Sequence, residues 1–149
     1  MFQMGPGSFF IGTLAAIAVP AYQDYTVRAR VVEGLMIAGS VKAAVAESYM
    51  ANGEWPRDLK AMDYEQAPRG KYVVFVAVNR GTIVIRYSRN AGAQLDHEQL
   101  TLRPTVTAEG DVTWSCGYTA DQGEDPRSGA ASAHATTIKT KYLPASCRG

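Results

Sequence analysis

Apolar residues fill the chain from Phe9 to Ala21 with almost no interruption, and past Pro20 they thin out to steps of three and four. Val27, Val31, Leu35, Ala38, Val41, Val45 and Tyr49 keep that spacing, which sets them on one stripe of an amphipathic helix. Arg28, Arg30, Glu33, Lys42 and Glu47 take the other faces. Asn52-Gly53 supplies a residue tolerant of positive φ where the helix should stop. The pattern predicts one helix from about Phe9 to Met50, roughly 60 Å long at about 1.5 Å per residue. Pro20 removes a hydrogen bond to the carbonyl of Ala16 and crowds that turn, which predicts a kink. Gly12, Gly34 and Gly39 each weaken the helix by up to about 1 kcal/mol. Such a helix does not stand alone. Its first half has no polar face and needs lipid, detergent or copies of itself, whereas Val31, Leu35, Val41, Val45 and Tyr49 can lie against a sheet.

The period then changes. Glu54 to Gly70 is irregular, with Trp55-Pro56, Pro68 and Gly70 as breakers and a short helical turn expected over Asp58 to Met62. Lys71 to Asn79 and Thr82 to Tyr87 are rich in Val, Ile, Tyr and Phe and are joined by Arg80-Gly81, the signature of a hairpin. Gln99 to Thr107 alternates Leu100, Leu102 and Val106 with polar neighbours, and Ala108-Glu109-Gly110-Asp111 turns it into Val112 to Cys116. Pro104 demotes the middle of that third strand to an edge or a bulge. Four strands with short turns form an antiparallel sheet whose apolar face needs a cover, and the striped half of the helix is the available one. Gly117 to Gly149 reads mostly as loop, with Thr136 to Thr140 extended.

Length and charge narrow the picture. A chain of 149 residues has room for one domain with a real core. Fifteen basic and fourteen acidic residues give a net charge of +1, so no overall field draws the protein to nucleic acid or an anionic membrane. The uncharged run from Phe9 to Ala21 has 13 residues, against the roughly 20 of a membrane-spanning helix, so the chain as written is expected to be soluble. No basic leader precedes that run. Residues 1–8 carry no periodicity, and Gly5-Pro6-Gly7-Ser8 reads as a protease-site and cloning remnant to be kept apart from the fold. Cys116 and Cys147 are the only cysteines and bound a small-residue segment. In an oxidising compartment they could be joined, closing a loop worth about 3 to 4 kcal/mol, while two separate buried thiols remain the alternative.

Candidate chemistry is sparse. Asp96-His97-Glu98 is the one cluster suggestive of a metal or acid–base site, but consecutive residues alternate in direction and His134 is distant in sequence, so a solvated turn is the expected reading. No phosphate-binding glycine loop, Gly-x-Ser-x-Gly or His-Glu-x-x-His pattern occurs. No catalytic residue, metal ligand or cofactor is therefore assigned.

The run Ala15-Ala16-Ile17-Ala18-Val19-Pro20-Ala21-Tyr22-Gln23-Asp24-Tyr25 and its continuation through Arg30 resemble the N-terminal helix of type IV pilins. Leu100 to Thr107 with Val112 to Cys116 resembles the family's last strands, and Lys141 to Arg148 its terminal segment. The middle, Lys71 to Asn90, fits by strand pattern alone. The resemblance implies an α+β fold, with a long N-terminal α-helix packed on a four-stranded antiparallel β-sheet and a C-terminal loop bounded by a Cys116–Cys147 disulfide. The layout is then residues 1–8 as remnant, a helix over 9–53 with an apolar overhang to about 21, a connecting loop over 54–70, the sheet over 71–116 and the loop and tail over 117–149.

In function, the resemblance implies a major pilin that polymerises into an extracellular fibre used for adhesion and twitching motility. Phe9, Phe10, Ile11, Leu14, Ile17, Val19, Pro20 and Tyr22 form the polymerisation helix. Tyr118, Lys139, Lys141, Tyr142 and Pro144 become candidates for contact with a receptor or surface. Partners implied are copies of the chain, the pilus assembly machinery, a host or abiotic surface, and the inner membrane before assembly with the precursor facing the periplasm; the charge pattern does not indicate nucleic acid. One departure stands out: counting back from Pro20, Gln3 holds the place of the family's N-terminal glutamate, so the chain as written is not expected to build native pili. A minor pilin or a secretion pseudopilin would share the helix, although the terminal cysteine pair argues against the pseudopilin. A free secreted binding module would have no use for the apolar overhang.

Overall fold

A computed structural model of the chain describes residues 6–121 and 135–149, with side chains over 19–120 and 135–149. Helix α1 spans Pro6–Asn52 and carries Pro20 inside it. It starts and ends a little beyond the stretch read from the pattern, and it closes where Gly53, at φ 74°, donates its N–H to the carbonyl of Tyr49 at 2.7 Å. Trp55 then stacks on Tyr49, with ring centroids 4.1 Å apart. The turn expected near Asp58 is a short 3-10 segment, Lys60–Met62, whose Ala61 N–H is capped by the Asp58 carboxylate at 2.9 Å.

Four strands follow, β1 (Val73–Asn79), β2 (Thr82–Tyr87), β3 (Gln99–Val106) and β4 (Val112–Cys116), all antiparallel and in the order β1-β2-β3-β4. The β1–β2 connection pairs Asn79 with Thr82, and both linking residues take positive φ, 48° at Arg80 and 84° at Gly81. That turn geometry matches the twist of the strands it joins. A register shift between Val73 and Phe75 turns Val74 out to solvent.

Helix and sheet meet along one face of each. Val27, Val31, Ala38, Val41 and Val45 of α1 are buried against Val73, Val76, Val78, Ile83, Ile85, Tyr87, Leu100 and Leu102. Fully burying each such aliphatic side chain is worth about 1.5 to 3 kcal/mol. Leu35 and Tyr49 lie half-buried at the margins. Gly34 has a role that propensity alone conceals. The Tyr87 ring occupies the space a Cβ at Gly34 would need, and its hydroxyl donates to the Val31 carbonyl at 2.6 Å. Burial, reinforced by the negative charge of Glu33, pushes the Tyr87 phenol well above its ordinary pKa, so it stays a donor.

Pro104 corrects the strand expectation in part. It sits on an interior strand, but the β2–β3 ladder ends at Ile83↔Leu102, and beyond that rung β3 is paired with β4 alone. Its missing N–H therefore falls where no β2 partner is required. At the other end of β3, β4 has run out, and the tail takes over. The hydroxyls of Thr137 and Thr136 accept from the N–H groups of Gln99 and Thr101 at 2.9 and 3.1 Å, and Thr137 N–H donates to the Gln99 carbonyl at 3.0 Å. The expected extended stretch is thus an edge cover made of threonines, ending in a 3-10 turn over Thr140–Tyr142. Tyr118–Asp121, read as loop from the sequence, forms one helical turn, α2.

Candidate functional site

The two faces of α1 differ in what covers them. On a helix of 3.6 residues per turn, a residue two positions from both Gly34 and Ala38 points away from the sheet. Met36 does so and is 75% exposed. Tyr22, Tyr25, Val32 and Met50 lie on the same outward face and are also exposed, as is Ala29 between them. Tyr22, Tyr25, Ala29, Val32 and Met36 form a largely apolar stripe opposite the core stripe, and beyond Met36 the same face carries the exposed Ser40 and Glu47 before Met50. Of the charges expected on the other faces, Glu47 is exposed on this outward face, whereas Arg28, Arg30 and Lys42 lie on the flanks and bind the helix to the head. Arg30 donates to the Ala91 carbonyl at 2.9 Å with its guanidinium 5.1 Å from the Tyr72 ring centre, and Lys42 reaches over Trp114 at 5.7 Å. Arg28 reaches the Lys141 carbonyl at 3.4 Å, and Asp24 faces the Lys141 ammonium at 3.9 Å.

Of the residues assigned to the polymerisation helix, Val19, Pro20 and Tyr22 are exposed. Phe9, Phe10, Ile11, Leu14 and Ile17 belong to α1, but their side chains lie outside the described residues. The outward stripe was missed from the sequence although its signal was there: Tyr22, Tyr25, Ala29, Val32 and Met36 are also separated by three and four. No helix among the described residues is long and apolar enough to cross a membrane.

At the opposite end of the chain Cys116 and Cys147 are joined, closing a segment of sequence separation 31. Gly117 follows the first cysteine at φ 60°, and a Cβ there would run into the Cys147 backbone, so the bridge is set against a position that excludes side chains. The candidate contact residues around the bridge divide. Lys139 and Lys141 are exposed and Pro144 is half-exposed. Tyr118 donates its hydroxyl to the Ile138 carbonyl at 2.8 Å. Tyr142 is a correction: only 5% exposed, it belongs to the core between helix and tail and does not offer its ring to a surface. Aromatic residues near a terminus are ambiguous in sequence because a core ring and a recognition ring have the same composition.

Asp96 and His97 pair on a turn, Oδ1 to Nδ1 at 2.7 Å, with His97 at φ 62° and its ring in solvent. No group of three or more His, Cys, Asp or Glu side chains able to hold a metal is assembled among the described residues.

Residues 27–148, from the buried half of α1 through the sheet to the disulfide-closed tail, match the family Pilin, a bacterial filament family. The chain belongs to the pilin family. A fimbrial protein of Neisseria meningitidis serogroup B is 38% identical over 146 residues, covering 93% of this chain and 85% of its own length. The type IV major pilin protein PilE of Neisseria gonorrhoeae is 36% identical over 143 residues, with the same coverage. The type IV major fimbrial protein FimA of Dichelobacter nodosus is 27% identical over 158 residues, covering 93% and 86%. This pilin is accordingly a structural subunit of a type IV pilus.

Proposed function

We propose that this pilin is a major subunit that polymerises through α1, its apolar residues 9–22 packing among those of neighbouring protomers and its outward stripe continuing the contact alongside the heads. The observation that carries the reading is the second apolar face of α1, from Tyr22 to Met36, exposed on a helix whose other face is already buried. Contiguous apolar surface of this kind marks an interaction site. The fibre is extracellular, its precursor is held in the inner membrane and handed on by the assembly machinery, and its work is adhesion and twitching motility. The exposed lysines beside the disulfide, Lys139 and Lys141, are the part of the tail that meets a host or abiotic surface. The role is structural and not enzymatic.

The test is expression of the complete precursor in a pilus-deficient cell followed by electron microscopy. Fibres that carry the protein and restore twitching are expected. Cells that secrete it as a monomer with no fibre would instead support a free binding module.

A further inference from the structure

A concavity lies on the other side of the sheet from α1. It measures about 560 Å³, with Phe75, Ala77 and Val84 contributing apolar floor and Arg57, Arg80 and Arg86 contributing cationic groups. Its shape is fixed by backbone bonds: Arg80 N–H donates to the Arg57 carbonyl and Gly81 N–H to the Pro56 carbonyl, both at 3.0 Å, so the loop after α1 is tied to the β1–β2 turn and holds two arginines on one rim. Arg86 rises from β2 on the floor. It donates to the His97 carbonyl at 2.9 Å and to the Gln99 side-chain oxygen at 3.0 Å, both neutral acceptors, and its Nε is buried without a partner. Among the described residues none of the three guanidinium groups is paired with a carboxylate. Asp58, the one acid in the lining, is engaged in capping Ala61.

Unpaired arginines over an apolar, aromatic floor fit an anion that also has an apolar face. The neighbouring surface decides which kind. Across Ala77 and Val78 the concavity continues into a second one of about 800 Å³, in which Asp58, Asp63 and Glu65 outnumber the single cation, Lys60, beside Tyr64. A polyphosphate chain leaving the arginines would run into those carboxylates. A ligand with one localised negative charge and a neutral, hydroxyl-rich remainder meets the reverse situation, since carboxylates accept hydrogen bonds from hydroxyls.

We propose that Arg57, Arg80, Arg86 and the Phe75–Val84 floor form a binding site for an acidic oligosaccharide, taking the carboxylate of one sugar against the guanidinium groups while its hydroxylated neighbours lie along Asp63 and Glu65. The ring of Phe75 offers a flat surface to the C–H face of the carboxylated sugar. The site lies on the sheet, apart from the disulfide and from the outward stripe of α1. It gives the adhesive part of the preceding reading a ligand class, and because it is measured on the soluble chain it can fail while fibres still form, or hold when none do.

The experiment is an NMR titration of the isotopically labelled 149-residue chain with sialyllactose, with lactose as neutral control and an oligothymidylate as polyphosphate control. Saturable shifts at Phe75, Ala77, Val84 and the Arg86 Nε–H with sialyllactose, absent with lactose, are expected. The double variant Arg57→Ala, Arg80→Asn changes exposed positions, and asparagine accepts the positive φ of residue 80. It should melt as the wild type does and bind sialyllactose about tenfold more weakly or worse, as loss of charge-assisted bonds requires. Equal response to lactose, stronger response to the oligonucleotide, shifts confined to other surfaces, or full affinity in a folded double variant would each overturn the proposal. If the double variant does not fold, the shift map on the wild type decides alone.

Discussion

Val31, Val41 and Val45 on the inner face of α1 are wholly buried, whereas Tyr22, Tyr25, Val32 and Met36 on its outer face, also largely apolar, are exposed. The inner face has Ile83, Ile85, Leu100 and Leu102 of the sheet to meet it, whereas the outer face stays exposed among the described residues. The same helix is thus half a core and half a bare surface, with Arg28, Arg30 and Lys42 along the border and Glu47 on the outer side. Arg30 and Lys42 sit along that border and use their length to reach Tyr72 and Trp114. Folding of the head should therefore respond to changes on one face only, and assembly to changes on the other.

Substitutions on the inner face separate these roles most sharply. Val45→Asp puts an unpaired carboxylate among apolar strands at a cost of several kcal/mol. Circular dichroism should show the head unfolded or molten at ambient temperature; a cooperative melt near that of the wild type would mean the helix packs by another face. The next largest effect belongs to the tail. Breaking Cys116–Cys147 with reductant, or by replacing both residues with Ser, should lower stability by about 3 to 4 kcal/mol in urea titrations, because the unfolded chain regains the entropy of the closed segment. Detection of two free thiols in the untreated protein by mass spectrometry would contradict the bridge.

A smaller change sharpens the comparison at the helix–sheet contact. Tyr87→Phe removes one buried hydrogen bond to the Val31 carbonyl and should cost about 1 to 1.5 kcal/mol at neutral pH. The pH dependence has a definite sign. The folded phenol keeps its proton because burial raises its pKa, while the unfolded phenol ionises near pH 10, so the wild type should lose stability as pH rises above about 10. The Phe variant lacks that loss, and the gap between the two proteins should narrow under alkali. A gap that stays constant would show that the hydroxyl is not held in a buried site.

The strong periodicities were legible. Valines at steps of three and four gave the core stripe, and two residues between Asn79 and Thr82 gave the hairpin. What escaped was whatever depends on a distant partner. Gly34 looks like a defect until Tyr87, 53 positions away in sequence, is seen to fill its place. Tyr142 looks like a surface ring until the tail is found folded against the helix. Thr136 and Thr137 read only as an extended stretch in a loop because the sequence does not show that β4 ends one step too early to protect the start of β3. The outer stripe escaped for a different reason. A helix with two opposed apolar faces partly cancels its own amphipathic signal, and the eye settles on the face that alternates most clearly with charge.

The most direct test of the two-faced helix is one charge on the outer side. Met36→Lys, introduced into the complete precursor and separately into the 149-residue chain, should leave the melting of the head within about 0.5 kcal/mol of wild type, since the side chain is 75% exposed. The same change should abolish or severely reduce fibres seen by electron microscopy. Normal fibre number and length with Met36→Lys would contradict the account, because the stripe would then have no neighbour to meet.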